Sequence, residues 1–198
     1  MKGRLILASA SACRRQLLSQ IGVFPDDVIP SKIDESPEVK EIPSKQAIRL
    51  AQQKASKVAH NFIGNFVLGA DTLVACGRKE VPKAMNENQA IRNLELLSGK
   101  RHKVFGGIAL VLPNRKMISR LVITIVEFKR LSKDEIKNYI KSEEWYGKAG
   151  AYAIQGSAQM FIKRINGSFS NVMGLSLYET MSLLKGNGYL EGKFENGG

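Results

Sequence analysis

Phe66-Val67-Leu68-Gly69-Ala70-Asp71-Thr72-Leu73-Val74 is an apolar run interrupted by a single carboxylate. Its aliphatic and β-branched residues read as a buried strand over 65–75. An unpaired charge in such surroundings is very costly, so Asp71 needs a partner. A metal, a nearby lysine or a turn at Gly69 could each supply one. A lone Asp beside Gly usually marks a turn, but here strand-forming residues continue on both sides.

Outward on the N-terminal side, Pro43-Ser44 opens a helix to about residue 60. On it Lys54 falls within the stripe of Ala47, Leu50, Ala51 and Val58 at helical period. Either its stem snorkels along small neighbours or its ammonium reaches an anion from a shielded wall. Further out, residues 4–8 read as a buried strand that runs into Ser9-Ala10-Ser11-Ala12-Cys13-Arg14-Arg15, followed by a helix over 12–21. Arginines at a helix N-terminus face its positive end unless an anion answers them, and a phosphate would. Alternatively Ser11 only caps the helix and the arginines point to solvent. An extended stretch over 27–34 ends in Ile33-Asp34-Glu35. Paired carboxylates of this kind are hard oxygen ligands of the sort Mg²⁺ accepts while it bridges phosphates, or else they are solvated loop charge.

On the C-terminal side a helix is expected over 87–97, and a strand pair over 103–112 and 117–129 across Pro113-Asn114. Ser132-Lys133-Asp134-Glu135 forms a capping box that starts another helix. A glycine-rich segment over 148–156, a strand over 160–165 and a helix over 175–184 follow. The alternation predicts an α/β fold with a mixed central sheet flanked by helices. With no linker or repeat in the chain, one domain over 1–190 is expected, and a loosely held tail after Lys185 that is clearest over 191–198.

Two cysteines, Cys13 and Cys76, offer neither a zinc ligand set nor a disulfide framework, which points to a reducing compartment. Leu5-Ile6-Leu7-Ala8 is too short for a signal-peptide core, and no apolar run approaches a membrane span, so a cytoplasmic location without membrane contact is expected. Thirty Lys and Arg against eighteen Asp and Glu leave a formal charge of +12, which attracts polyanions without choosing among them. A P-loop ATPase is excluded because no Walker A sequence is present.

Taken together, these segments resemble the Maf family, which shares a broad fold group with inosine triphosphate pyrophosphatases. The resemblance runs through Leu5 to Ser11 with Arg14, Ile33-Asp34-Glu35-Ser36, Leu50-Ala51 with Lys54-Ala55, and Gly69-Ala70-Asp71-Thr72. It continues through Lys83, Leu97-Ser98-Gly99, Lys148-Ala149-Gly150-Ala151-Tyr152, Ile154-Gln155-Gly156, and Ser170-Asn171-Val172 with Gly174-Leu175. It implies two lobes around a deep cleft, hydrolysis of a nucleoside triphosphate to monophosphate and pyrophosphate, and a divalent cation, Mg or Mn. Asp71 would be the proton acceptor. Ser9, Arg14, Lys54 and Lys83 would hold phosphates, Glu35 and Asp71 would lie near metal, and Thr72 and Gln155 would bear on the base. The Gln-bearing branch is associated with dTTP and UTP, and the family name carries a link to septum formation. A homodimer is implied, and nucleic acid is not expected as a partner.

Four positions depart from the family pattern. Ala12 and Cys13 stand where the family has Pro and a first Arg, which places Cys13 at a substrate-binding position. Ala84 replaces a Pro after Lys83, and Gly147 replaces an Asp before Lys148. The competing reading is a non-catalytic nucleotide- or nucleic-acid-binding regulator of cell division.

Overall fold

The computed structural model describes residues 3–190. Among them, β1 (Leu5–Leu7), β2 (Asp27–Val28), β3 (Phe66–Cys76), β4 (Lys79–Glu80), β5 (Arg101–Val111), β6 (Met117–Phe128) and β7 (Ile162–Asn166) form one mixed sheet. Its order is β2-β1-β3-β5-β6-β7, with β4 paired to the end of β3. The β1 pairings are parallel and the rest antiparallel. The helices are α1 (Ala12–Gln20), α2 (Pro43–Ala59), α3 (Glu87–Leu97), α4 (Lys133–Ile140), α5 (Phe169–Met173) and α6 (Leu177–Gly186). No helix among the described residues is long and apolar enough to cross a membrane.

β3 is apolar on both sides of Asp71-Thr72 because both of its faces are covered. Period-2 alternation sends Leu68 and Ala70 into a cluster with Leu17 and Leu18 of α1 and Leu183 and Leu184 of α6. Val67, on the other face, packs with Ala51, Ala55 and Val58 of α2. A further cluster, built on Val104, Val126 and Phe128 with α3 and α4, lies toward the other end of β5 and β6.

Glycine sets how closely α2 lies on this sheet. A Cβ at Gly69 would stand 2.4 Å from the Ala51 carbonyl oxygen, and one at Gly107 of β5 would stand 1.9 Å from that of Ala47. Both obstacles are backbone, so only bare glycine lets the helix down onto the strands.

Most expected elements stand where the sequence puts them, including the capping box, in which Ser132 and Glu135 exchange hydrogen bonds. Others differ. Only Asp27–Val28 of the 27–34 stretch pairs as a strand, because β1 is itself short and only its Ile6 and Leu7 take partners there. The helix expected over 175–184 is present as α6, but a short helix the sequence did not announce, α5, precedes it and ends at Gly174, whose φ of 133° favours glycine. The chain beyond Lys185 is not loose up to residue 190: Tyr189 is 3 % exposed and packs edge-on against Phe66 at 5.4 Å. The tail over 191–198 lies outside the described residues.

Candidate active site

β1 stops at Leu7, opposite Leu68, and β4 joins only at Ala75. Between them the β1-side edge of β3 has no strand neighbour among the described residues. A pocket of about 560 Å³ occupies this gap, within the range of small-molecule sites. Because it lies at an edge, side chains from both faces of β3 reach it. Asp71 approaches from the α2 face and Thr72 from the other.

On the α2 side, Lys54 is buried and its Nζ lies 2.6 Å from Asp71 Oδ1 and 2.5 Å from Glu35 Oε1. Lys83 Nζ holds the second Glu35 oxygen, Oε2, at 3.0 Å. The partner of Asp71 is therefore a lysine. Gly69 lies inside the strand, so the turn alternative is excluded, and the ammonium of Lys54 points inward instead of snorkelling. Burial pushes the Glu35 carboxyl up, but hydrogen bonds and charge from Lys54 and Lys83 outweigh it and hold its pKa at about 2, against an ordinary 4.5. Asp34 takes no part: it is exposed and accepts a hydrogen bond from the Ser36 N–H.

On the other side, Ser11 caps α1 by accepting from the Arg14 N–H, but the capping reading holds only in part, since just one of the two arginines points to solvent. Arg14 nevertheless turns inward while Arg15 is exposed. The Arg14 guanidinium donates to Ser9 Oγ at 2.9 Å, to the Gly174 carbonyl at 2.9 Å and to Thr72 Oγ1 at 3.3 Å. Thr72 itself donates to Gly174 O at 3.2 Å. Burial pulls the Arg14 guanidinium down, opposed by the charges of Asp71 and Glu35. Bonds to neutral oxygens leave its charge unneutralised at close range, which suits an anionic ligand.

Gln155 is exposed at the pocket and donates a long hydrogen bond, 3.8 Å, to Cys13 Sγ. Lys83 reaches the same wall because its backbone bridges to Ala149, with Ala84 bridging to Tyr146. Ser9, Cys13, Arg14, Glu35, Lys54, Asp71, Thr72, Lys83 and Gln155 thus all line one pocket. Sequence reasoning missed two contributions: the Gly174 carbonyl, which carries no side-chain signal, and Lys148, whose position beside Ala149-Gly150 was the available hint.

A divalent cation fits this donor set. Two carboxylates, Glu35 and Asp71, already converge on one cationic group, and carboxylate oxygen is the hard donor that Mg²⁺ and Mn²⁺ take. No group of three or more His, Cys, Asp or Glu is gathered for a metal among the described residues.

Comparison with known proteins adds the following. Residues 4–187 match the family described as Maf-like protein. A protein named nucleoside triphosphate pyrophosphatase, from Ehrlichia ruminantium (strain Welgevonden), is 52 % identical over 180 residues, spanning 91 % of this chain and 94 % of that one. One named dTTP/UTP pyrophosphatase, from Rhodospirillum rubrum, is 50 % identical over 191 residues, spanning 96 % and 91 %. Another of that name, from Paramagnetospirillum magneticum, is 52 % identical over 185 residues, spanning 93 % and 97 %.

Proposed function

The chain belongs to the Maf family, and on that premise we propose that it is a nucleoside triphosphate pyrophosphohydrolase, cleaving dTTP, UTP or related non-standard nucleotides to monophosphate and pyrophosphate. The observation that carries this reading is the convergence of Lys54 on Asp71 and Glu35 in a pocket that also holds Arg14, Ser9 and Lys83. Such a site combines a carboxylate base with three cations, which is what hydrolysis of a phosphoanhydride demands.

In this mechanism Arg14, Lys54 and Lys83 receive the triphosphate, and Ser9 Oγ adds a hydroxyl at the Arg14 end. Asp71 takes the proton of the water that attacks the α-phosphorus. The cations then stabilise the charge that gathers on the departing pyrophosphate. Glu35 and Asp71 are the residues that would hold Mg²⁺ or Mn²⁺, which when bound supplies charge neutralisation on the phosphates. Thr72 and Gln155 would bear on the base, with Cys13 beside Gln155. The separate apolar clusters around β1 to β3 and around β5 to α4 support a two-lobed shape with the pocket as its cleft.

The test is incubation with a panel of nucleoside triphosphates and Mg²⁺ or Mn²⁺, with product identification. Monophosphate plus pyrophosphate is expected. Release of inorganic phosphate, or no turnover, would refute the reading, the latter in favour of a binding module. Asp71→Asn keeps a hydrogen-bond acceptor for Lys54 and should fold, while kcat falls by about 10²–10⁴. Activity within a few-fold of the parent would remove Asp71 as the base.

A further inference from the structure

One pocket wall is the segment over 147–155, from which Lys148, Tyr152 and Gln155 face the cavity. Its backbone is unusual. Gly150 and Ala151 are consecutive left-handed residues, with φ of 73° and 58°. For Ala this conformation costs about 1–2 kcal/mol and persists only where surrounding structure enforces it.

The two residues after Ala151 are tied from behind the wall. Tyr139 of α4 accepts a buried hydrogen bond from the Ala153 N–H at 3.0 Å. The Tyr152 hydroxyl makes a buried hydrogen bond with His102 Nε2 of β5 at 2.8 Å. His102 is 1 % exposed, and the rings of Phe128 and Tyr152 stand edge-on to it at 5.0 and 5.4 Å. Its other nitrogen, Nδ1, is buried with no hydrogen-bond partner among the described residues.

Packing alone does not ask for histidine in this place. Phenylalanine would fill the same aromatic cluster and leave no orphaned nitrogen, which costs about 1–3 kcal/mol when buried. What histidine adds is the bond to Tyr152. Burial also holds the imidazole pKa down to about 4, so the ring is neutral at ordinary pH.

We infer that His102 is a positioning residue for the reaction: by engaging the Tyr152 hydroxyl behind the wall, it fixes the Tyr152 ring and the strained segment that presents Lys148 and Gln155 to the nucleotide. For its ligand this rests on the pyrophosphohydrolase reading, whereas the tie itself belongs to the free protein. Tyr152 consequently commits its hydroxyl to the protein and not to whatever binds.

The experiment compares His102→Phe, Tyr152→Phe, their double variant and His102→Gln, which keeps donor and acceptor groups. Tyr152→Phe removes only one oxygen and guards against misfolding of the other variants. By hydrogen exchange on the free protein, amides over 147–156 should exchange about tenfold faster in each Phe variant, with 43–59 unchanged. For UTP hydrolysis, KM should rise about five- to tenfold, the size of one lost hydrogen bond, with kcat within about threefold. The double variant should be no worse than either single one, because the two groups form one unit, and His102→Gln should recover most of the KM. Unchanged exchange in Tyr152→Phe, or single effects that multiply in the double variant, would overturn the inference. A parent that turns over no triphosphate would count against the pyrophosphohydrolase reading, while faster exchange over 147–156 would still support the tie.

Discussion

Lys54 Nζ lies 2.6 Å from Asp71 Oδ1, with the two side chains only 7 % and 4 % exposed. A helix and the central strand are thus joined by a buried ion pair at the floor of the pocket. Breaking such a pair is far costlier than its net worth, because the remaining charge stays buried. The group proposed to meet phosphate is therefore also part of what lets a carboxylate stand in β3.

Lys54→Met should lower stability by about 3–5 kcal/mol, the usual penalty for orphaning a buried charge. At this chain length that is a fall in Tm of roughly 6–20 °C. The freed carboxylates of Glu35 and Asp71 should then take a cation directly, so millimolar Mn²⁺ should raise the Tm of the variant more than that of the parent. Thermal melts with and without MnCl2 measure both effects. Equal metal responses would mean that the two carboxylates do not form a cation site.

Gly69→Ala removes no chemical group, yet its Cβ would press on Ala51 O at 2.4 Å and Ala55 N at 2.7 Å, the backbone on either side of Lys54. The helix must lift, at a cost of about 1–3 kcal/mol. A shift near 1 Å in a positioned group can cost about 10²-fold in rate, so kcat/KM should drop by at least about tenfold. Gly186→Ala in α6 meets nothing within 4 Å and serves as the control with unaltered kinetics. Parental activity in Gly69→Ala would show that α2 can move without disturbing Lys54.

His102 makes stability depend on pH in a defined window. Its folded pKa of about 4 lies below the ordinary 6.5, so the unfolded chain gains a proton first as pH falls. Above about 6.5 both states are neutral and the group contributes nothing to the pH dependence. Between about 6.5 and 4 it destabilises the fold progressively, on the order of 3 kcal/mol in all. Tyr139 and Tyr152 are pushed upward by burial and do not titrate there. Urea melts across this range should show a shallower loss for His102→Phe than for the parent, and parallel curves would refute the assignment.

Cys13 sits 3.8 Å from Gln155 Nε2, so whatever replaces its thiol meets the group proposed to face the base. Arg there would supply five donors and a fixed charge in place of one weak donor. Cys13→Arg should raise the ratio of kcat/KM for dTTP and UTP over that for ATP and GTP, by about tenfold or more. The ratio is measured in parent and variant at one metal concentration. No change would confine the opening loop to phosphate.

The elements were legible where the signal is local. The run Phe66 to Val74 announced a buried strand, the stripe of Ala47, Leu50, Ala51 and Val58 announced α2, and Ser132 with Glu135 announced the start of α4. Where composition replaced pattern, the reading failed. The glycines and lysines after Lys185 concealed that Tyr189 packs on Phe66, because one aromatic anchor outweighs the flexibility of its neighbours. Asp34 and Glu35 are indistinguishable as adjacent acids, yet only Glu35 turns toward Lys54 and Lys83.

By itself the sequence determined which segments are strands and helices, and that Asp71 had to find a partner, since periodicity and the cost of burying charge act over a few residues. Which partner it found, and that Arg14, Thr72 and Gly174 close one side of the pocket while His102 ties its wall from behind, was decided only in three dimensions. Those contacts depend on how closely α2 settles on Gly69 and Gly107, and on where β1 ends along β3. Both are distances between parts of the chain far apart in sequence, which no local pattern encodes.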